Sequence, residues 1–394
     1  MTLATDVHIN VPETHTALIQ ASGATLPSSK ITLVLSKNAP IPPLPSLDHV
    51  LIRVLAVALN PTDHKMPTHF PMPGSTAGCD FCGIVVSSTG STQNWARRSP
   101  PPPPGTRVCG AVYAYNPEDL LTGAFAEYVV ADARLLLRVP DDWSDLRAAA
   151  LGGIGWGTAG LALWGSDAME LEGRPARPVV AAAGGARTPV LVYGGATATG
   201  TMACQLLNLS GYHPIAVTSK ASAALAKRFG AADAVPYTSP KCLENIKDLL
   251  MKLPNPLSLR HALDCITDPE SAAVCFGVLS RTGGRYACLE LFDESWRSRR
   301  AVRVGVVMAY ELWGARVILD DNSAAAYSRP ASPEKLQATI AWADEMQNLL
   351  DNGLINNHPV RELEGKWDGI MNGLAMLQRG EVRGCKLVVR ISGV

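Results

Sequence analysis

Charge of either sign is not in excess in this 394-residue chain: 35 Lys and Arg offset 35 Asp and Glu, for a formal net charge of zero. That balance removes the electrostatic reason to expect nucleic acid or an anionic membrane as partner. A disulfide framework is missing as well, because the nine cysteines are odd in number and scattered, which points to a reducing, cytoplasmic setting. Residues 1–20 carry neither a basic flank nor an apolar core, so nothing marks them for secretion. One uncharged run, residues 148–166, approaches the length that spans a bilayer. Glycines at 152, 153, 155, 157, 160 and 165 argue against a lipid-facing helix there. No internal repeat is present. With 47% apolar and 18% charged residues the composition is that of an ordinary globular protein, long enough for two domains with cores of their own.

The most informative stretch is residues 190–200, Val-Leu-Val-Tyr-Gly-Gly-Ala-Thr-Ala-Thr-Gly. A short apolar run reads as a buried strand, two glycines permit a sharp reversal, and residues 202–209 carry apolar side chains at helical spacing. A strand, tight turn and helix of this kind leaves backbone N–H groups at a helix N-terminus where a pyrophosphate sits. The middle glycine of G-x-G-x-x-G is absent, with Thr197 and Ala198 in its place, so the bare pattern is a weak match and threonine hydroxyls would contribute instead. Residues 215–218 read as the next strand, whose end meets the adenosine ribose. No Asp or Glu occurs between Gly200 and Ala232, while Ser219, Lys220, Lys227 and Arg228 cluster there. A carboxylate would repel a 2′-phosphate and a serine with a lysine would bind it, so the expected cofactor is NADPH.

Around this stretch the chain is β-rich at the front, with strands expected at 16–20, 31–35, 49–58, 83–86, 107–112, 125–130 and 135–139. Residues 39–45 read as a loop, and an irregular insertion at 93–105 holds five consecutive prolines. A helix is expected over 148–164 and a linker over 165–189. Strands at 234–235, 262–266, 285–289 and 307–312 then alternate with helices, the pattern of a doubly wound parallel sheet. Helices at 333–351 and 366–378 and a strand at 386–391 close the chain. The expected division is a β-rich catalytic domain (1–167), a Rossmann cofactor domain (168–320) and a segment (321–394) that returns to the first.

This organisation resembles the medium-chain dehydrogenase/reductase superfamily over nearly the whole chain. Asn60-Pro61-Thr62-Asp63, the residues 123–128 Gly-Ala-Phe-Ala-Glu-Tyr, the 194–200 turn and residues 379–384 carry the likeness. Within it, Thr62-Asp63-His64-Lys65, residues 194–199, residues 262–266 Ala-Leu-Asp-Cys-Ile and Leu289-Glu290 are similar to the zinc-free, stand-alone trans-acting enoyl reductases of fungal polyketide synthases. The resemblance implies a GroES-like domain joined to a Rossmann domain. It also implies an NADPH-dependent reduction of unsaturated polyketide thioesters on a partner synthase's acyl-carrier domain, and a monomer. It places Thr62, Asp63, His64, Lys65, Ala196, Thr197, Ala198, Thr199, Ser219, Lys220, Ala221, Ser222, Tyr237, Leu289 and Glu290 at the dinucleotide, with Val382 and Arg383 closing over it. Substrate would be lined by Gly157, Ala159, Gly160, Leu161, Leu163 and Trp164, and by Met308, Ala309, Tyr310, Glu311 and Leu312.

Enoyl reduction needs a hydride, stabilisation of the enolate oxygen and a proton for the α-carbon. Lys65 and Thr158 are the polar side chains expected to serve the last two. The plainer readings are a surface cation for Lys65 and, for Thr158, a hydroxyl bonded back to its own helix. Zinc is the superfamily's other way to activate an oxygen. Cys79 and Cys82 have metal-like spacing, yet Asn60 replaces a soft ligand and residues 151–164 hold no Cys, His or carboxylate, so buried free thiols are expected and no metal. His64 and His69 are expected to be ordinary histidines of a loop, or to sit behind the residues that touch a ligand, and not to bind metal. A zinc-free quinone or alkenal reductase shares the fold and the hydride chemistry, and a catalytically silent nucleotide-binding scaffold is the non-enzymatic alternative.

Overall fold

A computed structural model describes residues 11–21, 31–88, 101–180, 185–253, 258–319 and 327–392. Most of the proline-rich insertion expected at 93–105 lies outside these residues. The fold is α/β and is built on two large sheets. The first has seven strands, in the order Val360–Leu363, Lys386–Arg390, His49–Ala58, Asp80–Ser88, Arg107–Ala111 and Leu137–Arg138, with Tyr128–Asp132 also paired to His49–Ala58. Lys386–Arg390 joins it antiparallel to His49–Ala58, so the end of the chain closes onto the front. A separate two-stranded ribbon pairs Thr14–Gln20 with Leu33–Pro40.

The second sheet has six parallel strands, ordered Asp233–Pro236, His213–Thr218, Pro189–Tyr193, His261–Asp264, Gly284–Cys288 and Val302–Val306. From Pro189–Tyr193 the chain winds two strands to one side, then crosses back to wind three to the other. The crevice at that reversal, outside the strands' carboxyl ends, is where such sheets bind ligands. Val190, Leu191 and Val192 are fully buried, which explains the continuous apolar run of this central strand. Gly194 turns at φ 75°. A Cβ on Gly200 would lie 2.2 Å from the Gly194 carbonyl oxygen, so only glycine lets the helix Ala198–Leu209 sit this close to the turn.

Three expectations change. The run 148–164 is two helices, Asp145–Leu151 and Ile154–Trp164, separated at Gly152, whose φ is +48°. Residues 307–312 are not a strand: the strand is Val302–Val306, after which Ala309–Trp313 forms a 3-10 turn. Ala39 and Pro40 extend an edge strand instead of a loop, opposite His15 and Thr14, where a proline costs no interior ladder bond. Among the described residues no helix is long and apolar enough to cross a membrane.

Candidate cofactor and active site

A cleft of about 1140 Å³ lies between the two sheet domains and takes its walls from both. On the Rossmann side it is lined by Gly194, Ala196, Thr197, Ala198 and Thr199 of the turn, by Ser219 and Ser222 after His213–Thr218, and by Tyr237, Leu289 and Glu290. Val382 and Arg383 come from the returning segment. Thr197 uses its hydroxyl oxygen to cap the helix, accepting from Gly200 N at 3.0 Å. Ser219 caps the short turn Lys220–Ser222, its Oγ accepting from Ser222 N at 3.2 Å and donating to Ser222 Oγ at 2.9 Å. Lys220 and Ala221 are exposed on that turn and are not among the lining residues.

The opposite wall begins with the helix Pro61–His69, which places His64 and His69 on a helix and not in a loop. Thr62 and Lys65, three residues apart and so on one helical face, line the cleft. Asp63 and His64 do not. Asp63 is fully buried, and its Oδ2 accepts from Asn60 N at 2.7 Å in a capping box, while Oδ1 has no partner among the described residues. Burial pushes the Asp63 carboxyl up to about 7, against the Asn60 N–H bond that lowers it. Because the folded state then holds this proton to higher pH than the unfolded chain, the stability contributed by Asp63 is fully present below about pH 4 and is lost as pH rises through about 7. Asp63→Asn is expected to flatten that slope, by on the order of a few kcal/mol at most. Urea titrations at pH 5 and 7.5 giving the same difference in both proteins would reject this. Burial, with Lys65 and His69 adding, pushes His64 down to about 4, so its ring is neutral.

Lys65 reaches across the cleft and pairs with Glu290. Thr158 stands in the helix Ile154–Trp164, is 6% exposed and lines the cleft. Its hydroxyl makes no hydrogen bond among the described residues. Thr201, Thr339 and Thr68, by contrast, donate back to Ala198, Lys335 and His64 carbonyls in their own helices.

Apart from Ile154 and Thr158, that helix backs the wall instead of forming it. Gly157 and Gly160 are contact points for other side chains: a Cβ there would meet Leu312 Cδ1 or Trp342 Nε1, each at 2.5 Å. Ala159 and Leu163 are fully buried, Leu161 packs on the same core, and the Trp164 ring lies 4.6 Å from that of Trp342. Met308, Ala309 and Tyr310 do line the cleft. Glu311 instead accepts from Lys335 Nζ at 2.6 Å, and Leu312 is buried against Gly157.

At the floor lies a buried polar cluster. Asp80 Oδ1 accepts from Gly153 N at 2.8 Å and Ile154 N at 2.9 Å. Its Oδ2 accepts from Asn60 Nδ2 at 2.9 Å and from Lys386 Nζ at 3.0 Å, and Lys386 also donates to Asn60 Oδ1.

Compared with known proteins, residues 46–141 match the alcohol dehydrogenase GroES-like domain family. The chain is 49% identical over 377 residues to the trans-enoyl reductase calK of Penicillium decumbens, covering 95% of this chain and 98% of that one. It is also 49% identical over 377 residues to the trans-enoyl reductase sthE of Phaeosphaeria nodorum, covering 96% and 97%. The chain belongs to the trans-enoyl reductases. Among solved structures, the CurK enoyl reductase superposes with a TM-score of 0.66 at 16% identity over 95% of this chain and 99% of that one. The quinone oxidoreductase of Coxiella burnetii does so with 0.62 at 20% over 96% and 99%. These two share the fold of a GroES-like domain with a Rossmann domain.

In this trans-enoyl reductase the donor set does not suit zinc. Cys79 and Cys82 belong to different cores, Cys82 facing Cys109 across the strand pair, and the carboxylate between them already holds the Lys386 ammonium. Burial pushes both thiols well above their usual range. Turnover is accordingly expected to be unchanged after prolonged treatment with a strong chelator. Zinc near one per chain in elemental analysis, lost together with activity, would overturn that. Site residues the sequence reading missed include Asn60, Ile154, Ile266, His358 and Lys386, all on the cleft wall. Ile266 had a signal in the 262–266 motif: Asp264 Oδ1 accepts from Ile266 N and Thr267 N, each at 2.9 Å, which fixes that loop. Lys386 had none, because its partner Asp80 is 306 residues away.

Proposed function

We propose that this chain reduces α,β-unsaturated polyketide thioesters presented by the acyl-carrier domain of a partner synthase, using NADPH and no metal. The observation that carries the reading is the Thr158 hydroxyl, on a largely buried residue that lines the cleft and without a hydrogen bond among the described residues. A cleft-facing hydroxyl that is not bonded back to its own helix keeps its donor available for a bound ligand. NADPH, when bound, supplies the hydride for the β-carbon. The turn at 194–199 would hold the pyrophosphate against the N-terminus of Ala198–Leu209, and Ser219, Ser222 and Lys220 the 2′-phosphate. Thr62 and Lys65 would hold the nicotinamide ribose. Thr158 would donate to the thioester oxygen as negative charge develops there. Lys65, released from Glu290, is the proton source for the α-carbon. The apolar surface of Ile154, Met308 and Tyr310 excludes water around the acyl chain.

Apolar contacts discriminate one methylene by only about 1–3 kcal/mol, so selectivity for a synthase's intermediate needs contact with the carrier itself. The test is reduction of one enoyl chain on its cognate carrier domain and on free pantetheine. A kcat/KM at least about tenfold higher on the carrier is expected, equivalent to about 1.4 kcal/mol of partner contact. Equal values, or better turnover of free 2-alkenals or quinones, would replace this reading with that of a free-standing alkenal or quinone reductase.

A further inference from the structure

The cluster at the floor of the cleft does more than satisfy a buried carboxylate. Asp80 is completely buried, and among the described residues its carboxylate accepts four hydrogen bonds, each from an element distant in sequence. Gly153 and Ile154 begin the helix that carries Thr158 one turn further on. Asn60 is the N-cap of the helix that carries Thr62 and Lys65. Lys386, 6% exposed, neutralises the carboxylate from the returning strand and ties it a second time to Asn60. The chain makes room for this arrangement. A Cβ on Gly152 would lie 2.4 Å from the Asp80 carboxyl carbon, and Gly152 has the positive φ that ends one helix so that the next can present its first N–H groups to Asp80.

We infer that Asp80 is a positioning residue, a single buried anion that fixes the N-termini of both helices bearing Thr158 and Lys65 and so sets the two groups at one spacing across the cleft. The inference rests on the roles given to those two residues above. Charge-assisted hydrogen bonds are the shorter and stronger kind, and a carboxylate is held favourably at a helix N-terminus. With both helices anchored to the two oxygens of one carboxylate, a change at Asp80 moves both reacting groups together. A displacement of about 1 Å in such a group is enough to cost on the order of 100-fold in rate.

The test is Asp80→Asn, which keeps size and one acceptor but turns an N–H₂ group toward the donors of Asn60 and Lys386. Single-turnover rates at saturating NADPH are expected to fall about 10- to 100-fold, with NADPH affinity by fluorescence changed by clearly less than the rate, since the turn at 194–199 and the Ser219 end of its neighbouring strand are not tied to Asp80. Placed in a Thr158→Val, Lys65→Ala background, the same substitution is expected to cost less than about twofold, because residues acting as one unit are not additive. If Asp80→Asn does not fold, judged by circular dichroism and NADPH binding, Asp80→Asn with Lys386→Met removes both buried charges and enters the same cycle. An equal loss in both backgrounds, or wild-type turnover in Asp80→Asn, overturns the inference and leaves the proposed function standing. Wild-type turnover in Thr158→Val and Lys65→Ala would overturn both.

Discussion

Thr158→Val is expected to lower kcat by 10²- to 10³-fold while leaving NADPH affinity and thermal stability close to those of the parent, because removal of one preorganised donor to a developing oxyanion has about that effect. Valine has the volume and the β-branching of threonine, so the side-chain rotamer and the helix are retained. In a helix where the hydroxyl bonded back to its own turn, the substitution would also cost a hydrogen bond. Here there is none to lose: the Thr158 hydroxyl has no hydrogen bond among the described residues, and the residue is 6% exposed. The measurement is burst and steady-state turnover of an enoyl thioester, with NADPH affinity taken from fluorescence in the absence of substrate. Turnover within about threefold of the parent would return Thr158 to an ordinary packing role.

The second large effect concerns the cofactor. NADPH is expected to be used in strong preference to NADH, and Lys220→Ala to raise the NADPH Michaelis constant about tenfold without changing that for NADH. Ser219 and Ser222 line the cleft at the end of His213–Thr218, and Lys220 stands exposed between them. The nearest acid in sequence, Asp233, does not reach this point. It lies at the start of the neighbouring strand and pairs with His213 at 2.8 Å, at the opposite end of His213–Thr218. A charged hydrogen bond to phosphate is worth about 1.5–3 kcal/mol. Exposure of Lys220 and screening by salt place the effect at the lower end, about 1.4 kcal/mol per factor of ten. The loss should therefore shrink as ionic strength rises. Equal use of both cofactors by the parent protein would remove the basis of the assignment.

The parts of this site legible in the sequence are those whose geometry is local. A strand, two glycines and a capped helix make the same turn wherever they occur, so the lining residues Ala196, Thr197, Ala198 and Thr199 followed from residues 190–200. The run without carboxylates from 200 to 232 spans the helix after that turn, the strand His213–Thr218 and the segments that follow, so the end of that strand carries Ser219 and Lys220 and no acid of its own. The glycine-rich helix was less legible. Its composition says that something packs closely, and the structure shows that Leu312 and Trp342 do so, leaving Thr158 as the polar residue turned to the cleft. Asp63 reads as a polar residue beside a ligand site, yet a helix starting at Pro61 sends it inward while Thr62 and Lys65 face out.

By itself, then, the sequence determined two domain types, the glycine turn at 194–200 and the absence of any carboxylate between Gly200 and Ala232, all consequences of local backbone conformation and side-chain chemistry. The tertiary structure alone decided that Lys65 meets Glu290, 225 residues on, and that Lys386 meets Asp80, 306 residues back. Those pairings arise where the returning strand docks beside His49–Ala58 and where the two domains face each other across the cleft. Neither event leaves a periodicity or a spacing in the chain, because long-range docking is set by which buried faces fit together and not by the order of residues along one element.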